Sequence, residues 1–255
     1  MSKLLLSLIS SISLAFASDG AALIDQKAAL AGGITPGDTP GFPVTLSQPG
    51  SYRLSGNLTV PDADTTAIRI TADAVTLDLN GFSIIGPLIC PPGIATCLSA
   101  GDGIGIEARR NLNVGPRALR ISNGSVRGVG SIGIVIEGSG NTVERVTVDS
   151  NPKGGMTVGG SVIASSAIRN GAFGIIAGMV RDSTAAENAG DGILLSAGGV
   201  ASGKRLHRER RLRTLRFLRN CHREHVVSEQ GLRHLGELSR QHHGQHRRRQ
   251  RCRKH

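Results

Sequence analysis

The chain has 255 residues, with 35 Gly, one Tyr, no Trp, five Phe and a formal charge of +11. Residues 1–203 hold 13 Lys/Arg against 15 Asp/Glu, whereas 204–255 hold 17 against 4 together with all eight His, so the positive charge belongs to the last segment alone. The remaining body has the length of one domain, and its shortage of aromatics excludes a pocket lined by Trp and Tyr.

In chain order, Lys3 is followed by an uncharged apolar stretch at 4–16 that closes on Ala15-Phe16-Ala17. That is the pattern of a secretory signal peptide cut after Ala17. The stretch is 13 residues long, short of the roughly 20 that cross a bilayer. Residues 1–17 are therefore expected to direct export, to a secreted or periplasmic location. Residues 18–43 read as a cap or linker, with one helix at 21–31. From 44 onward short apolar strands alternate with polar residues: Tyr52 and Leu54, then Ile68 and Ile70, then Val75, Leu77 and Leu79, leading into Asn80-Gly81. Cys90 and Cys97 bracket a short Pro-rich loop. Export permits a disulfide there, and a metal site would need further thiol or imidazole ligands that the body lacks. A Cys90–Cys97 disulfide is expected, with a reduced pair as the alternative.

The strand-to-Asn-Gly step returns at Asn123-Gly124, 43 residues after Asn80. The interval is two turns of a coil, or one turn plus an excursion at 87–102. Alternation continues through Ile132, Ile134 and Ile136 and through Val143, Val146 and Val148. Three units then align on Asn: Asn151 to Met156, Asn170 to Ile175 and Asn188 to Ile193, each with an apolar residue five positions after the Asn and with the Asn residues 19 and 18 apart. Short strands at that interval cannot each bury a face alone. Stacked in parallel about 4.8 Å apart, they align equivalent apolar residues into interior columns. Asn at a fixed corner tolerates the left-handed conformation and can bond to the next coil's Asn, which predicts an internal ladder of Asn151, Asn170 and Asn188. The expected fold is all-β: a solenoid over 44–203, capped by the helix at 21–31.

This repeat resembles the right-handed, single-stranded parallel β-helix proteins of the pectate-lyase-like superfamily. The resemblance implies an outer face on which enzymes of this kind cleave acidic polysaccharides. Hydrolysis there needs converging carboxylates and usually a nearby His. The body has no His, and Asp149, Glu187 and Asp191 fall at different registers relative to their Asn. The eliminative reaction needs carboxylates to hold Ca²⁺ against a uronate and a basic side chain to remove the proton. Arg169 and Glu187, one residue before successive Asn, read as a cross-coil ion pair. Asp73 and Asp78 read as solvated outward positions, and Asp102 and Asp191 as turn residues. Gly103 and Gly105 are not a dinucleotide loop, because no helix follows them.

After Gly203 the repeat stops and Arg, His and Leu take over. Residues 204–255 can be a basic segment that binds nucleic acid, a disordered solvated tail, or sequence in a shifted frame. Codons drawn from the synonymous sets for 205–217, read one base later, give Ala-Phe-Thr-Ala-Asn-Gly-Gly-Phe-Gly-Leu. Its last six residues align with the run from Asn170 to Ile175, identical at four positions, with Gly for Ala172 and Leu for Ile175, and keep the five-residue offset. A one-base slip near Gly203-Lys204 is therefore expected, leaving 204–255 a disordered basic tail in which Cys221, Cys252 and the His residues carry no functional message. The function expected is that of an exported, non-catalytic surface, structural or glycan-binding protein with no cofactor, no nucleic-acid partner and no assigned catalytic residue. The alternatives are a Ca²⁺-dependent polysaccharide lyase acting on uronate polymers and a nucleic-acid binder acting through the tail.

Overall fold

The computed structural model describes residues 20–88, 101–110, 115–203, 205–207 and 215–217. Strand β1 (Ala21–Ile24) and helix α1 (Gln26–Ala31) precede a first coil of β2 (Val44–Leu46), β3 (Gly50–Leu54) and β4 (Leu58–Thr59). The second coil holds β5 (Ile68–Ile70), β6 (Val75–Asp78) and β7 (Ser83–Ile85), and the third β8 (Ile106–Ala108) and β9 (Arg120–Arg127). Strand β10 (Ile132–Asp149) bends around a whole coil. The next coils are β11 (Gly154–Ile163) with β12 (Ser166–Ile168), β13 (Phe173–Arg181) with β14 (Thr184–Ala186), and β15 (Ile193–Ser202) with β16 (Arg205–His207), before β17 (Leu215–Phe217). All the pairings are parallel and make a β-solenoid of about six turns.

Each coil presents three faces. On the first, Val44, Ile68, Ile106, Ile134, Met156, Ile175 and Ile193 are successive Cα partners, and all seven are fully buried. On the second, Tyr52, Leu77, Ile121, Val143, Val162 and Val180 form the equivalent column. On the third, Ile84, Val126, Val148, Ala167 and Ala185 do so. Alternation sends the residues between them outward, which is why one side chain per short strand suffices. Each buried Ile or Val contributes about 1.5–3 kcal/mol. No coil buries its columns without its neighbours, so the stack is cooperative along its length.

The corner between the second and third faces needs a left-handed residue in nearly every coil: Asn80, Asn123, Arg145, Ala164 and Asp182 have φ of 51°, 61°, 51°, 47° and 51°. A second left-handed corner falls at Ser150, Arg169 and Glu187. The Asn after each of these is thus not the strained residue. The left-handed residue turns the chain, and the following Asn enters the interior.

The first coil's exposed edge is sealed on every face. Strand β1 pairs with β3 on the second face. Gln26 accepts from the Thr59 N–H at 2.7 Å and donates to its carbonyl at 3.1 Å on the third. Asp38, buried, accepts from the N–H groups of Thr45 at 2.7 Å and Ile34 at 3.0 Å on the first. These contacts occupy backbone groups that would otherwise template further pairing.

Several expectations need correction. The helix is shorter than 21–31: Ala21–Ile24 is a strand, and helix begins only after Asp25, whose carboxylate accepts from the Ala28 N–H at 2.8 Å. Ladder pairing, already claimed by β3, outweighs the helix propensity of the Ala-rich run. Each of these coils has three strands, and the third, Ser166–Ile168 or Thr184–Ala186, leaves little apolar signal in the sequence because it buries a single Ala. Of the two readings of the interval from Asn80 to Asn123, one turn plus the excursion holds, because strand β6 pairs directly with β9. Parallel pairing also continues past Gly203, where β16 joins β14 and β17 joins β15. Cys90, Cys97, Cys221 and Cys252 lie outside the described residues.

Candidate functional site

The second face carries a groove of about 300 Å³. Between its buried apolar residues the outward positions form two rows. One is Arg53, Asp78, Ser122 and Glu144, and the other is Ser51, Thr76, Arg120 and Thr142. The corner residues Asn123 and Arg145 close one side, held there by their left-handed backbones. The rows exist because adjacent coils bring residues 22 to 44 positions apart in sequence to the spacing of neighbouring strands.

One hydrogen-bonded chain runs across these coils. Glu144, with its side chain 10% exposed, accepts from Arg120 at 2.5 Å and Arg145 at 2.6 Å. Arg145 Nε donates to Asn123 Oδ1 at 2.7 Å, and Asn123 Nδ2 donates to Asp78 Oδ1 at 3.0 Å. Asp78 also accepts from the Asn80 N–H at 2.9 Å and faces Arg53 at 3.5 Å. Three guanidinium groups therefore meet two carboxylates. The residual charge is positive, and the arginine side chains are 40%, 54% and 56% exposed. Such a face offers planar donors to an anionic or polyhydroxylated ligand while its own carboxylates hold the donors in place.

The ladder asparagines stand inside the coil, fully buried. Asn151 Nδ2 donates to Asn170 Oδ1 at 3.1 Å, and Asn170 Nδ2 donates to Asn188 Oδ1 at 2.9 Å. Each Oδ1 also accepts the backbone N–H of the preceding coil: Val129 to Asn151 at 3.2 Å, Asn151 to Asn170 at 3.1 Å, and Asn170 to Asn188 at 3.0 Å. Their role is structural and they do not reach the groove. Asn141, buried and accepting from the Leu119 N–H at 3.0 Å, does the same work at another corner. A buried serine column, absent from the sequence expectations, runs beside it: Val146 N–H donates to Ser165 Oγ, and Ser165 N–H to Ser183 Oγ, both at 3.2 Å. The Ser-to-Asn offset of five, 165 to 170 and 183 to 188, was its sequence signal.

The remaining candidates are dispersed. Arg169 pairs with Asp149 of the preceding coil at 2.5 Å, not with Glu187, which corrects the expected ion pair. Asp149 stands on a strand within reach, whereas Glu187 sits on the same left-handed corner as Arg169 one coil on. Asp78 is part of the groove network, not a freely solvated position. Asp102 pairs with Lys153 at 2.5 Å, and that hydrogen bond and charge lower its pKa. Gly103 and Gly105 bring backbones close: a Cβ on either would meet a neighbouring coil's carbonyl oxygen at 2.5 Å. Among the described residues no group of three or more His, Cys, Asp or Glu could hold a metal, and no helix is long and apolar enough to cross a membrane.

Asp73 accepts from the Arg117 N–H at 2.9 Å and pairs with Arg110 at 2.9 Å. The Arg117 hydrogen bond first, and the Arg110 charge with it, lower its pKa. A lowered carboxylate contributes stability above its unfolded pKa and loses it as the pH falls through the folded value. Asp73→Asn is therefore expected to lower the melting temperature at neutral pH and to leave a smaller further drop on acidification below about pH 4, read by thermal unfolding across a pH series.

Comparison with family models, with curated proteins and with solved structures returns no match to this chain.

Proposed function

We propose that the chain is an exported parallel β-helix protein of the pectate-lyase-like kind that binds acidic glycan along its second face without cleaving it. The arginine–carboxylate chain from Arg53 to Glu144 carries this reading. Asp78 and Glu144 are the groove's carboxylates, and both are engaged by guanidinium groups at 2.5–3.5 Å. A general acid or a Ca²⁺ ligand needs a carboxylate free of such partners. The arginines, by contrast, retain exposed donors suited to carboxylate or sulfate groups.

Titration calorimetry with oligogalacturonate and with a neutral glucan tests the reading. The acidic chain is expected to bind preferentially, and Arg120→Ala with Arg145→Ala to weaken it by about tenfold or more. Equal binding of both glycans, or release of unsaturated uronate product, contradicts it. Export predicts a mature N-terminus at Ser18, read by N-terminal sequencing of the secreted chain; retention of residues 1–17 would refute it.

A further inference from the structure

Three interior columns cross the last described coils, and each prescribes a residue type for the coil after them. The serine column runs through Ser165 and Ser183, with the next donor being the Ser183 N–H. The asparagine column runs through Asn151, Asn170 and Asn188. The glycine column runs through Gly133, Gly155, Gly174 and Gly192, four residues after Val129, Asn151, Asn170 and Asn188. A Cβ on Gly174 would lie 2.5 Å from the Gly192 carbonyl oxygen and 2.9 Å from Asn188 Nδ2, and one on Gly133 would meet Gly155 O at 2.8 Å and Asn151 Nδ2 at 2.9 Å. Glycine is what lets each ladder amide pass beneath the next coil.

The pairing register locates the next member of each column. Arg181 pairs with Ser202 and Thr184 with Arg205, both 21 residues on, and that offset carried from Ser183 predicts position 204 for the serine column. Ala186 pairs with His207, 21 residues on, and the same offset carried from Asn188 and Gly192 predicts positions 209 and 213 for the asparagine and glycine columns. The chain has Lys204, Glu209 and Arg213 at these positions, none of which matches. Farther on, Ile193 pairs with Leu215, one position beyond where the Ala186–His207 offset would carry it.

We propose that the coil following Gly203 is encoded one base later, and that its native side chains are serine at 204, asparagine at 209, glycine at 213 and leucine at 214. Omitting the first base of the Lys204 codon turns AAG-C into AGC, serine. In the same frame GAA-C at 209 becomes AAC, asparagine. A 213 codon ending in GG followed by the A of threonine becomes GGA, glycine, and ACT-C at 214 becomes CTC, leucine. One displacement thus completes the serine ladder, the asparagine ladder and the glycine column, and restores a constant offset with an apolar residue opposite Ile193. The structure contributes what the repeat alone did not: the serine column, the reason for glycine, and the offset of Thr184–Arg205 and Ala186–His207, which carried forward predicts 204, 209 and 213 without reference to codons.

The nucleotide sequence tests it directly. The expected codons are AAG at 204, GAA at 209, one ending in GG at 213 and ACT at 214. GAG at 209, or a 213 codon with any other ending, overturns the proposal. The full-length chain made from the gene with that single base removed is expected to melt several degrees higher than the present one. Placing leucine instead of the new asparagine at 209 is expected to abolish the gain; an unchanged melting temperature in the corrected chain refutes the completed ladder.

Discussion

Replacing Asn170 with alanine is expected to remove about 3–5 kcal/mol of stability, a large share of what a domain of this size has. Asn170 Oδ1 accepts from both the backbone N–H and the side-chain amide of Asn151 at 3.1 Å, while its Nδ2 donates to Asn188 at 2.9 Å and to the Val148 carbonyl at 3.3 Å. All of these groups lie in the fully buried interior. Truncation orphans the Asn151 N–H where water cannot replace the lost acceptor, at about 1–3 kcal/mol per unsatisfied group, and leaves a cavity besides. Thr157→Ala, on the outward side of the adjoining coil, is expected to change stability by under about 0.5 kcal/mol. Urea unfolding of the two variants gives the comparison, and hydrogen exchange at the Asn151 amide localises the defect. Equal midpoints for both would mean that the ladder does not hold the coils together.

The second large effect is expected at Gly155. A Cβ built there meets the Gly174 carbonyl oxygen below any real contact distance, and also lies 3.0 Å from Asn170 Nδ2 and from Val148 Cγ2. The first of these is backbone of the next coil and cannot rotate away, so the methyl separates two coils of the stack. Gly155→Ala is expected to cost about 3 kcal/mol, the upper end of overpacking. Gly178→Ala, whose Cβ would meet only Gly160 O at 3.2 Å, is expected to cost under about 1 kcal/mol. Differential scanning calorimetry on both separates steric exclusion from the entropy that any Gly→Ala change alters; similar shifts for the pair would refute the steric account.

The units from Asn151, Asn170 and Asn188 announced a stacked coil because a repeat of constant offset can bury its apolar residues only against copies of itself. The third strand of each coil stayed hidden, since Ser166–Ile168 and Thr184–Ala186 contribute a single buried alanine and no branched apolar pair. Ala21–Ile24 reads as helix in sequence because of its strong helix formers, and only the waiting edge of β3 decides otherwise. The serine column was missed for a related reason: a serine that accepts one backbone N–H looks in sequence like any corner serine.

The groove was less legible still. Arg53, Asp78, Arg120, Glu144 and Arg145 share no motif. They converge because Arg53 pairs with Asp78, Asp78 with Ser122 and Ser122 with Glu144 across four coils. The all-β class, the coil length, the buried asparagines and the separation of a near-neutral body from a basic segment can be read from the chain, because each depends on composition or on a local period. Which outward side chains meet is settled by the stacking of the coils, since that depends on register and on the excursion that lengthens one coil. Neither of those quantities is periodic, so no local pattern encodes them.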